Sequence, residues 1–429
     1  MDEIRLGIAG LGTVGAGLVA IVQTHADRIA ARTGRRITVA AVSARTRDKD
    51  RGVDLSAYAW EDDPVALARR ADVDLFVELM GGSDGPAKAA VEAALGAGKP
   101  VVTANKAMLA LHGHALAELA EASGVSLRFE AAVAGAIPCV KALLEGLAGN
   151  AVTRVMGVMN GTCNYILTRM EDAGLPYDEV FEEARALGYL EADPTLDVGG
   201  IDAGHKLAIL SAIAFGARVD FDGVVLQGIE RVSIDDIRRA DDMGYKIKLL
   251  GVAQAVGGGV DQSMRPTLVP AASPLGQLEG ATNMVVLEGD AAGQIVLRGA
   301  GAGAGPTASA VMADVMDIVR GTGPALPPFG QPAATLAEPR RATDATPWAH
   351  YLRLSLRDEP GALGRVATVL GQAGISIDRM RQYDHPGADA PVLIVTHPCD
   401  AEALAAALDG LEGTGVVTEP PVALRILAA

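Results

Sequence analysis

A glycine-rich turn directly after the first apolar run constrains the fold of this chain more than any other feature. Residues 4–9 predict a strand, Gly10-Leu11-Gly12-Thr13-Val14-Gly15 follows at once, and residues 13–31 predict a helix. In that context the first glycine permits the tight turn, the second lets backbone approach a pyrophosphate, and the third lets the helix pack on the strand. The first N–H groups of the helix can then hold phosphates. The sequence therefore predicts a dinucleotide site, in preference to an ordinary glycine-rich turn.

Short strands and helices continue to alternate through residues 1–135. Further strands are expected at 37–42, 73–79, 101–103 and 126–131. Helices are expected at 64–70, 86–97 and about 108–122. This alternation is typical of a doubly wound parallel sheet. We therefore predict an α/β fold class of Rossmann type, with a dinucleotide-binding domain at 1–135.

Two further units are expected after this domain. Residues 136–321 combine longer helices with extended segments and predict a second, α+β domain for substrate binding and catalysis, whose last helix can pack back on the first domain. Residues 322–348 hold six prolines and predict a linker. Residues 349–429 show the order β-α-β-β-α-β, which is the ferredoxin-like arrangement.

Charge and composition exclude several functions. With 37 basic and 53 acidic residues the net charge is −16, which opposes nucleic-acid binding, and 2 Trp, 7 Tyr and 6 Phe make a poor base-stacking surface. No apolar run approaches the ~18 residues of a membrane span, and the N-terminus lacks the features of a signal peptide. Three cysteines cannot form a disulfide framework. We expect a soluble, cytoplasmic protein that binds neither nucleic acid nor membrane.

The end of the second strand bears on the choice of cofactor. NAD enzymes tend to place an acidic residue there, about 20 residues past the glycines. This chain has Ser43-Ala44-Arg45 instead, with Arg47 nearby. Arg45 either pairs with a 2′-phosphate or is a solvated surface side chain. NADP is favoured, and NAD stays possible.

Two lysines are candidates for chemistry. Lys106 follows the strand at 101–103 on the edge where open α/β sheets bind ligands, and spacing leaves a surface charge and a positioned cation equally open. Asp202 and Lys206 share one face of a helix, where an ordinary ion pair is the commoner interpretation. Three carboxylates precede that helix: Glu191, Asp193 and Asp197. Carboxylates around a lysine suit an amino-bearing substrate and a tuned proton donor.

Other reactive residue types give weaker signals. Cys163 is either a nucleophile or a small buried structural cysteine, and the structural role is the more frequent. His112-Gly113-His114 is interpreted as a turn, and without a third ligand nearby it predicts no transition-metal site.

Taken together, these segments resemble homoserine dehydrogenase with a C-terminal ACT domain, over essentially the whole length. The residues that carry the resemblance are 7–15, 76–82, 101–107, 129–138, 160–162, 188–206 and 303–308. Asp358-Glu359-Pro360-Gly361-Ala362-Leu363 is similar to the start of an ACT domain.

The resemblance implies a role for each matching residue. The cofactor site would comprise Gly10, Gly12, Thr13, Val14, Gly15, Arg45, Lys106 and Gly305. The substrate would contact Gly188, Glu191 and Asp202. Lys206 would be the catalytic proton donor and acceptor, with Lys106 near the reacting oxygen. A monovalent cation, sodium or potassium, would be wrapped by Glu130, Val133, Gly135 and Ile137, largely through backbone carbonyls.

The implied activity is reversible reduction of L-aspartate 4-semialdehyde to L-homoserine with NADP(H), in the biosynthesis of threonine, methionine and isoleucine. The ACT domain would bind an amino-acid effector such as threonine, or serve only as a dimer contact. A homodimer or homotetramer is expected. Two alternatives stay open: a semialdehyde dehydrogenase acting through Cys163, and a nucleotide sensor without catalysis. The two lysines and two carboxylates argue against the sensor.

Overall fold

A six-stranded parallel sheet forms the N-terminal part of the protein. The computed structural model describes residues 3–190, 193–321, 326–383, 387 and 389–428. The strands of this sheet are β1 (Glu3–Ala9), β2 (Arg36–Ser43), β3 (Ala59–Trp60), β4 (Leu75–Glu78), β5 (Val101–Thr103) and β6 (Leu127–Arg128). Their spatial order is β3-β2-β1-β4-β5-β6, which is the Rossmann order. The predicted fold class is confirmed, and the reversal of strand order between β1 and β4 opens a crevice at their carboxyl ends.

Helices cover both faces of this sheet. They are α1 (Thr13–Thr33), α2 (Pro64–Arg69), α3 (Pro86–Gly96) and α4 (Lys106–Ala122). Two of them begin at side-chain caps: Asp63 accepts from two N–H groups of α2, and Asn105 accepts from Met108 of α4. Such caps satisfy N–H groups that the first helical turn leaves unpaired.

The turn predicted at His112-Gly113-His114 is wrong, because these residues lie inside α4. Gly113 is needed there, since a Cβ at this position would lie 2.9 Å from the Phe329 ring. The strand predicted at 126–131 is also too long. It ends at Arg128, and residues 130–132 form a 3-10 turn in which Val133 N–H donates to the Glu130 carbonyl.

The second part of the chain is built on a mixed sheet. Its helices are α5 (Cys139–Lys141), α6 (Gly161–Ala173), α7 (Tyr177–Ala186), α8 (Thr195–Val198), α9 (Ile201–Phe215), α10 (Ile234–Asp242) and α11 (Ala304–Arg320). Helix α5 continues as a π-helical turn (Ala142–Gly146). Its strands are β7 (Val152–Val158), β8 (Val224–Leu226), β9 (Tyr245–Val256), β10 (Gly259–Pro270), β11 (Thr282–Gly289) and β12 (Gly293–Ala300). The sequence analysis missed α5, α6, α8, α10, β8 and β12. Helix α11 returns to the first sheet, where Val311 and Val315 share a core with Leu18 and Val19 of α1.

The C-terminal unit has the expected order β-α-β-β-α-β. Its elements are β13 (Ala349–Arg357), α12 (Ala362–Gln372), β14 (Ile377–Gln382), β15 (Asp389–Thr396), α13 (Ala401–Glu412) and β16 (Val422–Ile426). The strands pair in the order β16-β13-β15-β14, and β16 also pairs with β10 in parallel. The ferredoxin-like sheet therefore continues the sheet of the second part rather than standing apart from it.

Polar contacts reinforce this junction. The buried carboxylate of Asp236 on α10 accepts from Tyr351 Oη at 3.0 Å and from Arg353 Nε at 2.7 Å, both on β13. Residues 326–348, predicted as a linker, are irregular but packed: Phe329 is buried with its ring centroid 5.2 Å from that of Phe129. The C-terminal unit is therefore held to the rest of the chain by a strand pair, a buried carboxylate and the segment that precedes it.

We expect His350, at the start of β13, to make the folded protein acid-sensitive. Burial, and then the Arg425 guanidinium, lower the pKa of His350 from 6.5 to about 4. As pH falls from 6.5 towards 4, the unfolded chain takes up a proton that the folded chain does not, so stability is lost. Between pH 7 and pH 5 this loss is roughly 2 kcal/mol. Urea unfolding at both pH values should show a smaller loss for His350→Gln, and an equal loss in both proteins would contradict the assignment.

Candidate active site

A cleft of about 880 Å³ lies between the two sheets, at the carboxyl ends of the parallel strands. From the first sheet it is lined by the ends of β4 and β5 and the start of α1, including Val14 and Lys106. From the second part it is lined by the starts of α6, α9 and α11, including Asp202 and Lys206. The cleft thus lies where open α/β sheets bind ligands, with a second domain closing over it.

The glycine-rich turn has the geometry of a dinucleotide site. Gly10 has φ 98°, and a Cβ there would lie 2.4 Å from the backbone of Leu79. A Cβ at Gly15 would lie 2.0 Å from the Gly10 carbonyl oxygen, whereas the space at Gly12 is open. No side chain among the described residues caps α1, so its first N–H groups face the open space beside Gly12. This turn fits a pyrophosphate.

Two lysines that are distant in sequence meet at one carboxylate. Lys106 Nζ lies 2.8 Å from Asp202 Oδ1, and Lys206 Nζ lies 2.6 Å from Asp202 Oδ2. Lys206 also donates to the Met159 carbonyl at 2.9 Å. The Lys206 and Asp202 side chains are each 11% exposed, and Lys106 is 33% exposed. The cleft therefore contains two ammonium groups fixed by one largely buried carboxylate.

Asp202 stays ionised in this arrangement. Burial alone would raise the pKa of Asp202, but the charges of Lys206 and then Lys106 outweigh it, so the pKa lies well below its usual value. The sequence analysis expected Asp202 to hold the substrate. Here both of its carboxylate oxygens contact lysines, so its first effect is to fix the positions of those ammonium groups.

Asn160 is a site residue that the sequence analysis missed. It follows β7 directly, and its Oδ1 accepts from the Cys163 N–H, which caps α6. Its Nδ2 donates to Asp197 Oδ1 at 3.0 Å, and Asp202 Oδ2 lies 3.5 Å away. The available signal was an Asn-Gly-Thr run at a strand end. Asn160 links the start of α6 to the carboxylates beneath the two lysines.

Glu78 is a second site residue that the sequence analysis missed. This fully buried carboxylate at the end of β4 accepts from the N–H groups of Met80 and Gly81 and from Thr103 Oγ1 at 2.6 Å. Burial raises the pKa of Glu78. Because Asn105, the cap of α4, donates to Gly82, the same turn fixes the start of the helix that carries Lys106.

The remaining predicted site residues lie at several places around the cleft. Gly188 lines it with φ 76°, and Gly305 is in the first turn of α11. Arg45 is exposed, two residues beyond β2. Asp193 is exposed and accepts from Thr195 at the start of α8, so it is a helix-end residue. Glu191 lies outside the described residues.

The loop predicted to wrap a cation is buried beside the cleft. Both Glu130 carboxylate oxygens accept from N–H groups at the start of α5, and burial raises the pKa of Glu130 to about 7. Ala134 and Gly135 have φ values of 54° and 58°, and a Cβ at Gly135 would lie 2.5 Å from the Gly301 carbonyl oxygen. No group of three or more His, Cys, Asp or Glu side chains suited to a metal occurs in the described ranges.

Comparison with known proteins decides the family. Residues 10–130 match the homoserine dehydrogenase NAD-binding domain, residues 138–316 match the homoserine dehydrogenase family, and residues 350–413 match the ACT domain. The chain belongs to the homoserine dehydrogenase family. It is therefore an NAD(P)-dependent oxidoreductase with a C-terminal ACT domain, and the resemblance noted from its motifs is confirmed.

Relatives of the homoserine dehydrogenase family match over nearly the whole chain. The homoserine dehydrogenase of Neisseria gonorrhoeae is 42% identical over 99% of both chains. The crystal structure of a homoserine dehydrogenase from Thiobacillus denitrificans is 39% identical, with a TM-score of 0.93 over 100% of this chain and 99% of that one. A hyperthermophilic archaeal homoserine dehydrogenase in complex with NADPH is 27% identical, with a TM-score of 0.63 over 74% of this chain and 97% of that one.

Over the part of the chain that the structure describes, no helix combines the length and apolar character needed to cross a bilayer.

Proposed function

We propose that this chain interconverts L-aspartate 4-semialdehyde and L-homoserine with NADP(H), in the synthesis of threonine, methionine and isoleucine. The observation that carries the proposal is the pair of ammonium groups, Lys106 and Lys206, held at the largely buried carboxylate of Asp202 in the cleft. When bound, the nicotinamide supplies or accepts the hydride. The chain's own residues then have to stabilise the negative charge on the substrate oxygen and transfer a proton to or from it.

Lys206 is the proposed proton donor and acceptor at that oxygen. Its ammonium is held by Asp202 and by the Met159 carbonyl, so it is presented to the cleft in a fixed position. Lys106, from the opposite wall, stabilises the developing negative charge electrostatically. Gly188 and Glu191 are proposed to contact the substrate's amino-acid end, with Asp202 nearby.

A spectrophotometric assay tests this function. NADPH and L-aspartate 4-semialdehyde should give loss of absorbance at the nicotinamide wavelength, and homoserine with NADP⁺ should give the reverse. Tight NADPH binding without turnover would favour the nucleotide sensor. Turnover that requires phosphate and forms an acyl product would favour the semialdehyde dehydrogenase.

Cys163→Ser should leave homoserine oxidation nearly intact. The thiol is fully buried and donates to the Asp197 carbonyl at 3.3 Å, and burial followed by the Asp197 charge raises its pKa well above the usual value. A thiol held in this state is a poor nucleophile. Steady-state kinetics of the variant measure this, and loss of all turnover with native folding would return Cys163 to a catalytic role.

NADP is the proposed preferred cofactor, with NAD as a weaker substitute. Arg45 follows β2 at the edge where a Rossmann sheet is expected to hold the adenosine ribose, and no acidic residue takes its place. The archaeal relative was solved with NADPH. The proposed contacts comprise Gly10, Gly12, Thr13, Val14, Gly15, Arg45, Lys106 and Gly305. Rates with NADPH and NADH at equal concentrations test the preference.

A sodium or potassium ion is proposed at the loop of Glu130, Val133, Gly135 and Ile137. Support comes from the tight turn at Ala134 and Gly135 and from the hard oxygen donors that backbone carbonyls provide. Replacing sodium and potassium salts by choline chloride at equal ionic strength should lower activity, and adding back either ion should restore it.

An amino-acid effector such as threonine is proposed to bind the ACT domain. A cavity of about 130 Å³ lies at the start of α12, between Asp358 and Gly361 on one side and Gln382 and Val392 on the other. The uncapped N–H groups of α12 suit a carboxylate. If activity is unchanged in saturating threonine, the ACT domain has no regulatory role toward threonine and serves only as a dimer contact.

We also propose a cytoplasmic homodimer or homotetramer. All three cysteines are buried and free, which suits a reducing compartment. Strand β14 is at an edge of its sheet, with Met380 exposed, and such edges commonly pair with a second copy. Light scattering on the full chain measures the assembly.

A further inference from the structure

Arg51 occupies an unusual position beside the glycine-rich turn. Its Nε donates to the carbonyl of Leu11, inside that turn, at 3.0 Å. Its Nη1 donates to the carbonyls of Arg47 at 3.2 Å and Lys49 at 2.7 Å, and its Nη2 donates to that of Thr46. One guanidinium therefore ties four backbone carbonyls together, three of them in the loop that follows β2.

This loop, residues 44–51, is the most basic segment near the cofactor cleft. It reads Ala-Arg-Thr-Arg-Asp-Lys-Asp-Arg, so three cations (Arg45, Arg47 and Lys49) precede Arg51 in a chain whose net charge is −16. The loop leaves β2 beside the glycine-rich turn, since Gly10 N–H donates to the Ser43 carbonyl at 2.9 Å. It therefore lies where the adenosine ribose of a bound dinucleotide is expected.

The guanidinium of Arg51 also lies over the ring of Trp60, at the end of β3. The central carbon of Arg51 lies 5.7 Å from the Trp60 ring centroid, and that of Arg47 lies 5.8 Å away. The indole N–H donates to Asp62 at 2.8 Å, which fixes the ring. Arg51 is therefore bounded by the glycine-rich turn, by its own loop and by an aromatic ring.

Arginine suits this task in a way that lysine does not. A guanidinium carries five N–H donors in a rigid plane, whereas an ammonium is a point charge with three donors. Bonds to Leu11, Thr46, Arg47 and Lys49 from one group need that planar geometry. Because four of its five N–H donors are occupied by carbonyls, the main contribution of Arg51 to a ligand is the shape of the loop.

We propose that Arg51 is a positioning residue for cofactor selectivity: it folds loop 44–51 against the glycine-rich turn so that the side chains of Arg45, Arg47 and Lys49 converge on the 2′-phosphate of NADP. This rests on the proposed preference for NADP. It predicts that selectivity is lost when the shape of the loop is lost, even if its charge is kept.

The test compares Arg51→Lys and Arg51→Ala with the wild-type chain, using calorimetric binding of 2′,5′-ADP and 5′-AMP, which differ only in the 2′-phosphate. Both variants should bind 2′,5′-ADP about tenfold or more weakly and 5′-AMP almost normally, because the cations of a misfolded loop no longer make charge-assisted bonds to the 2′-phosphate. The ratio of kcat/KM for NADPH to that for NADH should fall by the same factor. The control is Arg69→Ala on α2, which replaces an exposed arginine of the same domain. This variant should bind both ligands with the wild-type affinity.

Each other outcome overturns a defined part of the proposal. If Arg51→Lys keeps full 2′,5′-ADP affinity, Arg51 acts through its charge and the positioning role fails. If both variants lose affinity for 5′-AMP and for 2′,5′-ADP by the same factor, Arg51 supports the whole site and has no role in selectivity. If the wild-type chain itself binds the two ligands equally, the NADP preference fails and the inference fails with it.

Discussion

Lys206→Ala should lower kcat for aldehyde reduction by roughly 10²–10⁴-fold, the range expected when a positioned general acid is removed. Asp202 would still pair with Lys106, so the other ammonium group and the cleft would remain in place. The cofactor's phosphate-binding turn is on a different element, α1, so NADPH affinity should hardly change. Steady-state kinetics and fluorescence titration of NADPH measure the two effects separately.

A matched control and a rescue experiment sharpen the interpretation of Lys206→Ala. Lys246 is also a paired lysine, with Glu171 and Asp241 as partners on the surface of the second part. Lys246→Ala should therefore keep its turnover. Added methylamine should restore part of the activity of Lys206→Ala. It should not raise the activity of the wild type. A Lys206→Ala variant that keeps most of its turnover would remove Lys206 from proton transfer.

The first sheet was predictable from sequence because its signals are local. The strand before Gly10, the glycines themselves and the helix after them occur within a few dozen residues, and each step of the alternation repeats that pattern. The motifs also identified Lys106 and Lys206 as candidates. Their common partner was not predictable, because i, i+4 spacing pairs Asp202 with Lys206 alone, and only the tertiary fold brings Lys106 to the other oxygen.

Other features depend on contacts between distant segments. The pairing of β10 with β16 joins residues around 268 and 426, and no local pattern marks two strands as neighbours in a mixed sheet. The buried Asp236 contacts Tyr351 and Arg353 at the same junction. Its position three residues after Ser233 indicates only an ordinary helix-capping acid. Asn160 and Glu78 gave only weak signals, since a polar residue at a strand end is common in turns as well as in sites.

Asp202→Asn should lower both the stability and the turnover of the protein, because it removes the charge that holds both lysines. Two ammonium groups would then face a neutral amide at a position that is 11% exposed. Breaking a buried ion pair by removing one partner costs about 3–5 kcal/mol, and a shift of reacting groups by about 1 Å costs around a hundredfold in rate. We therefore expect a loss of stability of about 3 kcal/mol and a loss of kcat of at least about a hundredfold.

The pH profile distinguishes this role of Asp202 from a purely structural one. The charges of Lys206 and then Lys106 hold the pKa of Asp202 well below its usual value, and the neutral amide cannot replace this counter-ion, so the pH profile of aldehyde reduction should differ from that of the wild type. Asp193→Asn is the matched control, since Asp193 is exposed and accepts hydrogen bonds from Thr195 outside the lysine cluster. It should keep the wild-type pH profile and nearly the wild-type stability. If Asp202→Asn loses stability but keeps the wild-type kcat and pH profile, Asp202 holds the fold and the lysines position themselves without it.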